Sequence, residues 1–458
     1  MADFCFVHAA DLHLDSPFKG IGRAAGQVAE ALREASLEAF DKLVALCLER
    51  NASFLVLAGD LYDGPSRGLR AQLRVRDGLS RLSDAGVWTF IVHGNHDPLE
   101  SGWSAVADHW PERAVVFPPG HVETRVVERD GERLAIVHGV SYGRREVREN
   151  LALDFHRAEG PGLQVGVLHC NVSGAPEGHA PYSPCSLEDL RDAGLDYWAL
   201  GHIHTRCVLC GVPHGDEPWI VYPGTLQSRS PKPSELGSKG AFVVQVSAGR
   251  VANIEHVACD RVRFEMVELD VSAVAGSSIA GSSIAGSAVA GSAVAGIRDM
   301  LSGRAVELLE AAGGRSLVLR AVLHGRSSVA YVLRRKGARE DLLRSLREDA
   351  PEIGGAFCWW DDVADRTMPE LDLAALAGGG DFVADVVTAA AGASSLPPDS
   401  LGPWRDLREA MTDGLPVALR QRAEQLLEDS SAGWSLLVTE GLHVALDELG
   451  VGLEEAEA

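Results

Sequence analysis

The stretch Phe54-Leu-Val-Leu-Ala-Gly-Asp-Leu-Tyr-Asp63 constrains the fold more than any other part of this chain. Four large apolar residues in a row, Phe54 to Leu57, suit a parallel strand covered on both faces. Ala58 and Gly59 then remove side-chain bulk, so that the backbone can turn and present Asp60 at the strand's C-terminal end. Open α/β sheets bind their ligands at such ends. An α/β architecture is therefore expected, with other strands that end in the same way.

Four such strands follow from the sequence. Phe4 to Val7 leads to Asp11 and His13, whose two-residue spacing puts both side chains on one side of an extended segment. A carboxylate oxygen beside an imidazole nitrogen suits manganese, iron or zinc better than calcium, although this pair alone fits a polar loop equally well. Residues 87–92 form an apolar strand that ends in His93-Gly-Asn-His-Asp97. Residues 164–168 end in His169, which alone would read as a buried core histidine. Residues 197–200 run into Gly201-His-Ile-His204. Together the five endings carry Asp/His, Asp, Asn/His, His and His/His, an inventory that suffices for two metal ions sharing one bridging carboxylate. Between them, residues 29–49 and 69–85 read as helices. Leu32, Ala35, Phe40, Leu43 and Val44 make a core-facing stripe on the first.

The order Asp-x-His, Gly-Asp-x-x-Asp, Gly-Asn-His-Asp, His, Gly-His-x-His resembles the signature of the calcineurin-like metallophosphoesterases. The flanking text, His8-Ala-Ala-Asp-Leu-His-Leu-Asp-Ser-Pro17, Ser186-Leu-Glu-Asp-Leu190, Asp196-Tyr-Trp-Ala-Leu-Gly-His-Ile-His204 and Trp219-Ile-Val-Tyr-Pro-Gly224, is similar to the bacterial SbcD/YhaO branch of DNA-repair exonuclease subunits. The resemblance implies a four-layer αββα sandwich over residues 1–258 and an α+β capping domain over 259–372. It also implies a C-terminal helical, partner-binding segment within 373–458. By the same resemblance Asp11, His13 and His204 hold one metal ion, Asp60 bridges, and Asn95, His169 and His202 complete a second. His96 is left as general acid or phosphate clamp for the leaving oxygen, with Asp97 to orient it. Two manganese ions, a DNA substrate, a homodimer and an SMC-like coiled-coil ATPase partner are implied as well. Asp63 is open between a metal ligand, a second carboxylate behind the ligands and a turn former.

Other features are read more simply. His8, His93 and His138 lie in or beside apolar strands and are expected in the core. His179, in a Gly-rich loop, could face the substrate side. Cys207 and Cys210 have the spacing of a redox or zinc motif but fall on a strand, where they act as small hydrophobes, and Cys170 beside His169 is an oxidation liability. Arg229, Lys232 and Lys239 lie in the segment 226–240, open between phosphate contact and solvated loop; Arg144, Arg145 and Arg148 form a second small basic group. Residues 274–296 are a small-residue pentapeptide repeat expected to act as a linker.

Composition bounds the partners. No apolar run approaches the roughly 20 residues of a membrane helix. The N-terminal residues lack a basic leader pattern. Eight cysteines without a spacing pattern fit a reducing, cytoplasmic setting. The net charge of −23 is unusual for a chain expected to handle a polyanion, and residues 401–458 are strongly acidic. Two rivals therefore stay open: a phosphodiesterase of small nucleotides, which the charge favours, and a non-catalytic adaptor, which the complete ligand set opposes.

Overall fold

The computed structural model describes residues 2–16, 27–64, 68–100, 109–174, 180–272, 285–394 and 431–449. The chain divides into two compact units. The first comprises Met1–Glu268, Asp299–Val322 and Leu343–Ala364, and the second Leu269–Arg298, Leu323–Leu342 and Asp365–Ala458.

The first unit is built on two six-stranded sheets. In one, β1 (Phe4–Ala9), β2 (Phe54–Ala58), β3 (Trp88–Val92) and β4 (Ala114–Val116) run parallel in that order, and β11 (Gly240–Ser247) and β12 (Arg250–Ala258) continue the sheet antiparallel beyond β1. In the other, β6 (Glu132–Gly139), β7 (Leu163–His169), β8 (Tyr197–Gly201) and β10 (Trp219–Tyr222) are parallel. Antiparallel strands β5 (Glu123–Arg129) and β9 (Cys207–Cys210) form its edges.

Strand alternation sorts the apolar residues into layers. Phe6, Phe54, Val56 and Phe90 meet Val165, Val167, Tyr197 and Ala199 in the core between the sheets. The alternate residues Val7, Leu55, Leu57 and Ile91 pack outward on Leu37, Phe40, Leu43, Val75 and Leu79, carried by helices α1 (Gln27–Glu49) and α2 (Leu69–Asp84). On the far side, Leu168, Trp198, Leu200 and Ile220 pack on Leu190 of α3 (Leu187–Asp192). This is the expected αββα order. Ser186 starts α3 by a reciprocal capping box with Asp189.

A further four-stranded sheet has the order β13 (Val262–Asp270), β14 (Ser316–Arg326), β16 (Ala356–Met368) and β15 (Glu352–Ile353). Its strands alternate with α4 (Ala285–Ala311), α5 (Ala330–Leu333) and α6 (Ala338–Glu348), the α+β composition expected after residue 258. Helix α4 takes in the last repeats of the low-complexity run, which was expected to be a linker. Its alanines have high intrinsic helix propensity, and the apolar turns that follow extend the helix far enough to hold them. In the second unit, helices α7 (Leu373–Ala377), α8 (Phe382–Ser394) and α9 (Ser431–Glu448) share a small core around Val387, Leu442 and Leu446. The expected helical face at Leu419–Leu427 lies outside the described residues. Among the described residues no helix is long and apolar enough to cross a membrane.

Gly201 shows how closely the sheets approach at the strand ends. A Cβ there would lie 1.8 Å from the carbonyl oxygen of Ala58 and 2.9 Å from Nδ1 of His169. Gly201→Ala is therefore expected to destabilise the protein by about 1–3 kcal/mol or more. At Gly303 on α4 such a Cβ would meet nothing within 4 Å beyond its chain neighbours and its own helix backbone, so Gly303→Ala should stabilise by up to about 1 kcal/mol. Urea unfolding followed by tryptophan fluorescence checks both, and equal midpoints for the two variants would contradict the close approach at Gly201.

Candidate metal centre

The parallel strands of both sheets deliver their C-terminal ends to one place. Beyond β1, backbone N–H groups of Asp11, His13 and Leu14 donate to the carbonyls of Gly59, Asp60 and Leu61, at 3.1, 3.0 and 2.9 Å. The two loops after β1 and β2 are thus zipped together, and Asp11 and Asp60 come side by side. Four of the residues expected to ligate metal have positive φ: Asp11 at 51°, His13 at 41°, Asp60 at 51° and His202 at 99°. Such backbone is costly for residues with a Cβ and concentrates at functional sites. At Gly94 a Cβ would lie 2.3 Å from Asp60 Oδ1 and 2.7 Å from His169 Nε2, so only glycine lets the β3 loop close over them.

The side chains converge accordingly. Ligand-type atoms of Asp11, His13 and His204 lie within 4.8 Å of one another, as do those of Asp11, Asp60 and His169. Asn95 Oδ1 is 3.0 Å from Nε2 of His169. His169 Nδ1 donates to the Ala58 carbonyl at 3.0 Å, so Nε2 is the nitrogen turned to Asp60 Oδ2 at 3.5 Å, where a metal ion would take the place of a proton. His202 is not a member of these tight groups. Its Nε2–H donates to the Ala180 carbonyl at 2.8 Å, leaving Nδ1 as its lone-pair nitrogen, and its ring stands edge-on to His169 with centroids 5.3 Å apart. The His202 backbone N–H reaches both oxygens of Asp11 at 3.1 Å, and the His96 N–H reaches Asp60 Oδ1 at 2.9 Å.

The electrostatics suit a cation. Burial pushes Asp11 up to about 6. Burial pushes Asp60 the same way, but the charge and hydrogen bond of His169 and the charge of His13 outweigh it and hold Asp60 well below the usual carboxylate range. His169 rises to about 9 against its own burial, drawn up by Asp60. Burial lowers His13, whose Nδ1 is buried without a hydrogen-bond partner and whose Nε2 faces Nε2 of His204 at 3.2 Å. Facing imidazole nitrogens and adjoining buried carboxylates leave converging lone pairs that a divalent ion would satisfy, and the mixed O/N donors fit manganese, iron or zinc.

His96 stands beside this cluster rather than in it. Its Nδ1 lies 2.7 Å from Asp63 Oδ1, and that bond raises its pKa. The carboxylate that orients His96 is therefore Asp63's and not, as expected, Asp97's. Asp97 is fully buried and accepts from Leu61 N and Gly94 N, both at 2.9 Å, so it shapes the loops that carry Asp60 and Asn95; His93 Nδ1 lies 3.0 Å from its Oδ2 without forming a hydrogen bond to it. His13, Asp63 and His96 also form a tight group, but Arg229 Nη1 lies 3.1 Å from Asp63 Oδ2 and supplies the positive charge there. Arg229 was one of several basic residues in an undivided loop, and Glu235 carried no sequence signal. Glu235 is buried, accepts from the N–H groups of Arg229 and Ser230 at 2.5 and 3.0 Å, and lies 3.8 Å from His204 Nδ1. Lys239 is buried and bonds the carbonyls of Ser234 and His204 at 2.9 and 3.4 Å, so its charge is turned inward. Of the expected core histidines, His8 pairs with Tyr197 Oη at 3.0 Å and His138 with Gln164 at 2.8 Å. His179 lies outside the described residues.

Residues 5–206 match the calcineurin-like phosphoesterase family, and residues 289–368 match the middle domain of the metallophosphoesterase YhaO. The chain is 36% identical over 272 residues to the uncharacterised metallophosphoesterase YhaO of Bacillus subtilis, covering 59% of this chain and 64% of that protein. It is 26% identical over 280 residues to the DNA double-strand break repair protein Mre11 of Aeropyrum pernix, covering 58% and 63%. The chain thus spans less than two thirds of the length of these relatives. A dimetal phosphatase structure from Danio rerio aligns over 56% of this chain and 99% of its own, at 13% identity and a TM-score of 0.30.

Asp60→Asn is expected to abolish tight manganese binding, because it removes the carboxylate on which the cluster converges. Glu235→Gln should weaken it roughly 10–100-fold, the usual effect of removing a group that supports a ligand. Isothermal titration calorimetry checks both, and wild-type affinity in Asp60→Asn would show that the ions bind elsewhere.

Proposed function

Starting from the calcineurin-like phosphoesterase domain that this chain carries over residues 5–206, we propose that the protein is a metal-dependent DNA phosphodiesterase, an exonuclease and endonuclease of DNA repair or recombination. In this reading Asp11, His13 and His204 would hold one ion and Asn95, His169 and His202 a second, with Asp60 shared between them and manganese the metal. Bound ions of this kind supply an activated water and neutralise charge at phosphorus.

The observation that carries the reading is the His96–Asp63 pair. Its Nδ1 is committed to Asp63 at 2.7 Å, so Nε2 is the nitrogen that can face a substrate, and the ring is the one imidazole of the centre with a third of its surface open. A carboxylate at Nδ1 favours the imidazolium, the form that gives a proton from Nε2 to a leaving alkoxide. A phosphodiester needs that proton because its leaving group is a poor one. Asp63 keeps the ring from turning, and Asp97 keeps the β2 and β3 loops in register so that His96 stays beside the cluster.

The DNA substrate is supported by relatives named for double-strand break repair. We keep 1–258, 259–372 and 373–458 as the proposed nuclease, capping and partner-binding regions; the match of 289–368 to the YhaO middle domain supports the second. A homodimer and an SMC-like ATPase docked on the C-terminal helices complete the proposal, together with a cytoplasmic location. The net charge of −23 favours the second reading, a small-nucleotide phosphodiesterase.

His96→Gln and Asp63→Asn should each lower turnover about 100- to 10,000-fold while manganese affinity is kept. The assay is release of end-labelled nucleotides from linear DNA with manganese, beside hydrolysis of bis-p-nitrophenyl phosphate. Attack on the small diester alone, with DNA left intact, would replace the nuclease reading by the second one.

A further inference from the structure

The loop after β10 carries a cation that the chemistry above does not use. Ser228 Oγ donates to the Glu235 carbonyl at 2.5 Å, and the buried Glu235 carboxylate accepts from Arg229 N and Ser230 N at 2.5 and 3.0 Å. The backbone under Arg229 is thereby fixed from within its own loop. The Arg229 side chain is only 13% exposed. Its Nη1 donates to Asp63 Oδ2 at 3.1 Å and to Ser16 Oγ at 3.3 Å. Its Nε is buried and has no hydrogen-bond partner among the described residues, and the hydroxyl of the adjacent Ser230 is in the same condition. Buried donors are rarely left unmet.

Pinning Asp63 needs one N–H, and a lysine could provide it. A guanidinium offers five, in a planar fork that matches phosphate oxygens. Arg229 shares Asp63 with His96, so it stands beside the group that, in the proposed chemistry, hands a proton to the departing group. In a polynucleotide the departing group is the rest of the strand, and its nearest anion is the adjoining phosphodiester. We infer that Arg229, with Ser230 beside it, forms a subsite for the phosphate next to the scissile one on the leaving-group side. The subsite rests on the polynucleotide reading and sharpens it, because a small mononucleotide diester has no second phosphate to place there.

The test uses the full chain with manganese and three thymidine dinucleotides: one with only the bridging phosphate, and two with an additional phosphate at the 5′ or the 3′ end. Wild-type kcat/KM should rise with one of the two terminal phosphates, the one on the leaving side. Arg229→Gln should lose about tenfold or more of that gain, and Arg229→Lys should keep part of it. Any loss through Asp63 and His96 affects all three substrates equally and cancels in the ratio. Thermal melting and manganese titration of each variant separate misfolding from lost recognition. An unchanged ratio in Arg229→Gln, or a wild type indifferent to both terminal phosphates, overturns the subsite while leaving the phosphodiesterase reading intact. A wild type that hydrolyses bis-p-nitrophenyl phosphate but none of the dinucleotides overturns the polynucleotide reading, and the subsite with it.

Discussion

Two buried carboxylates, Asp11 and Asp60, set the terms for the rest of the molecule. They end neighbouring parallel strands, and their oxygens fall within one cluster of ligand-type atoms. Like charges repel strongly where they are buried. The fold offsets this with directed donors, the His202 N–H on Asp11 and the His96 N–H on Asp60, and with His169 drawn to higher pKa. Those donors come from both sheets, so the site exists only where the two sheets abut. The aromatic core of Phe6, Phe54, Phe90 and Tyr197 directly beneath it supplies the burial that holds the sheets together.

Strain and close approach are the means by which side chains that prefer to be apart are kept together. The left-handed backbone at Asp11, His13, Asp60 and His202 turns each chain back at the rim of a strand. Each such residue costs of order 1–3 kcal/mol, which the zipped loop hydrogen bonds and the packed layers beneath must over-determine. Glycines at 94 and 201 remove the atoms that would otherwise occupy the space of Asp60, His169 and the Ala58 carbonyl. A centre assembled this way has little freedom to relax, which suits chemistry that depends on fixed geometry.

The sheets, the main helices and the convergence of the ligand-type residues were legible in the sequence because each rests on a local pattern. Period-two and continuous apolar runs mark strands, and a small residue before Asp or His marks a turn at a strand end. What was not legible depends on contacts between distant loops. Asp63 rather than Asp97 meets His96, because Asp97, one residue further on, points back to the N–H groups of Leu61 and Gly94. Nothing in a linear spacing distinguishes these directions. Glu235, buried among backbone N–H groups of its own loop, looks in sequence like any acidic loop residue. The end of the repeat, 285–296, differs from the linker expectation because its alanines extend a helix that later turns hold, while 274–284 lie outside the described residues.

The net charge of −23 is the acid excess that remains after every Lys and Arg is set against an acid, so what bears on a phosphate is where the charges lie. Many acids are matched by nearby arginines on the surface, as in Arg50–Glu255, Arg144–Glu149 and Arg250–Asp216. Such pairs contribute little field at a distance in salt. What a polyanion meets at the centre is different: carboxylates positioned for divalent cations, a carboxylate-raised His96, and Arg229 held by Asp63. Local cation density, rather than whole-chain charge, decides whether a phosphate can sit there. Under the proposed DNA reading, a chain of this composition would bind DNA weakly along its surface and depend on bound ions and on the few fixed cations of the site. That dependence ties substrate engagement to the same convergence of strand ends that builds the metal centre.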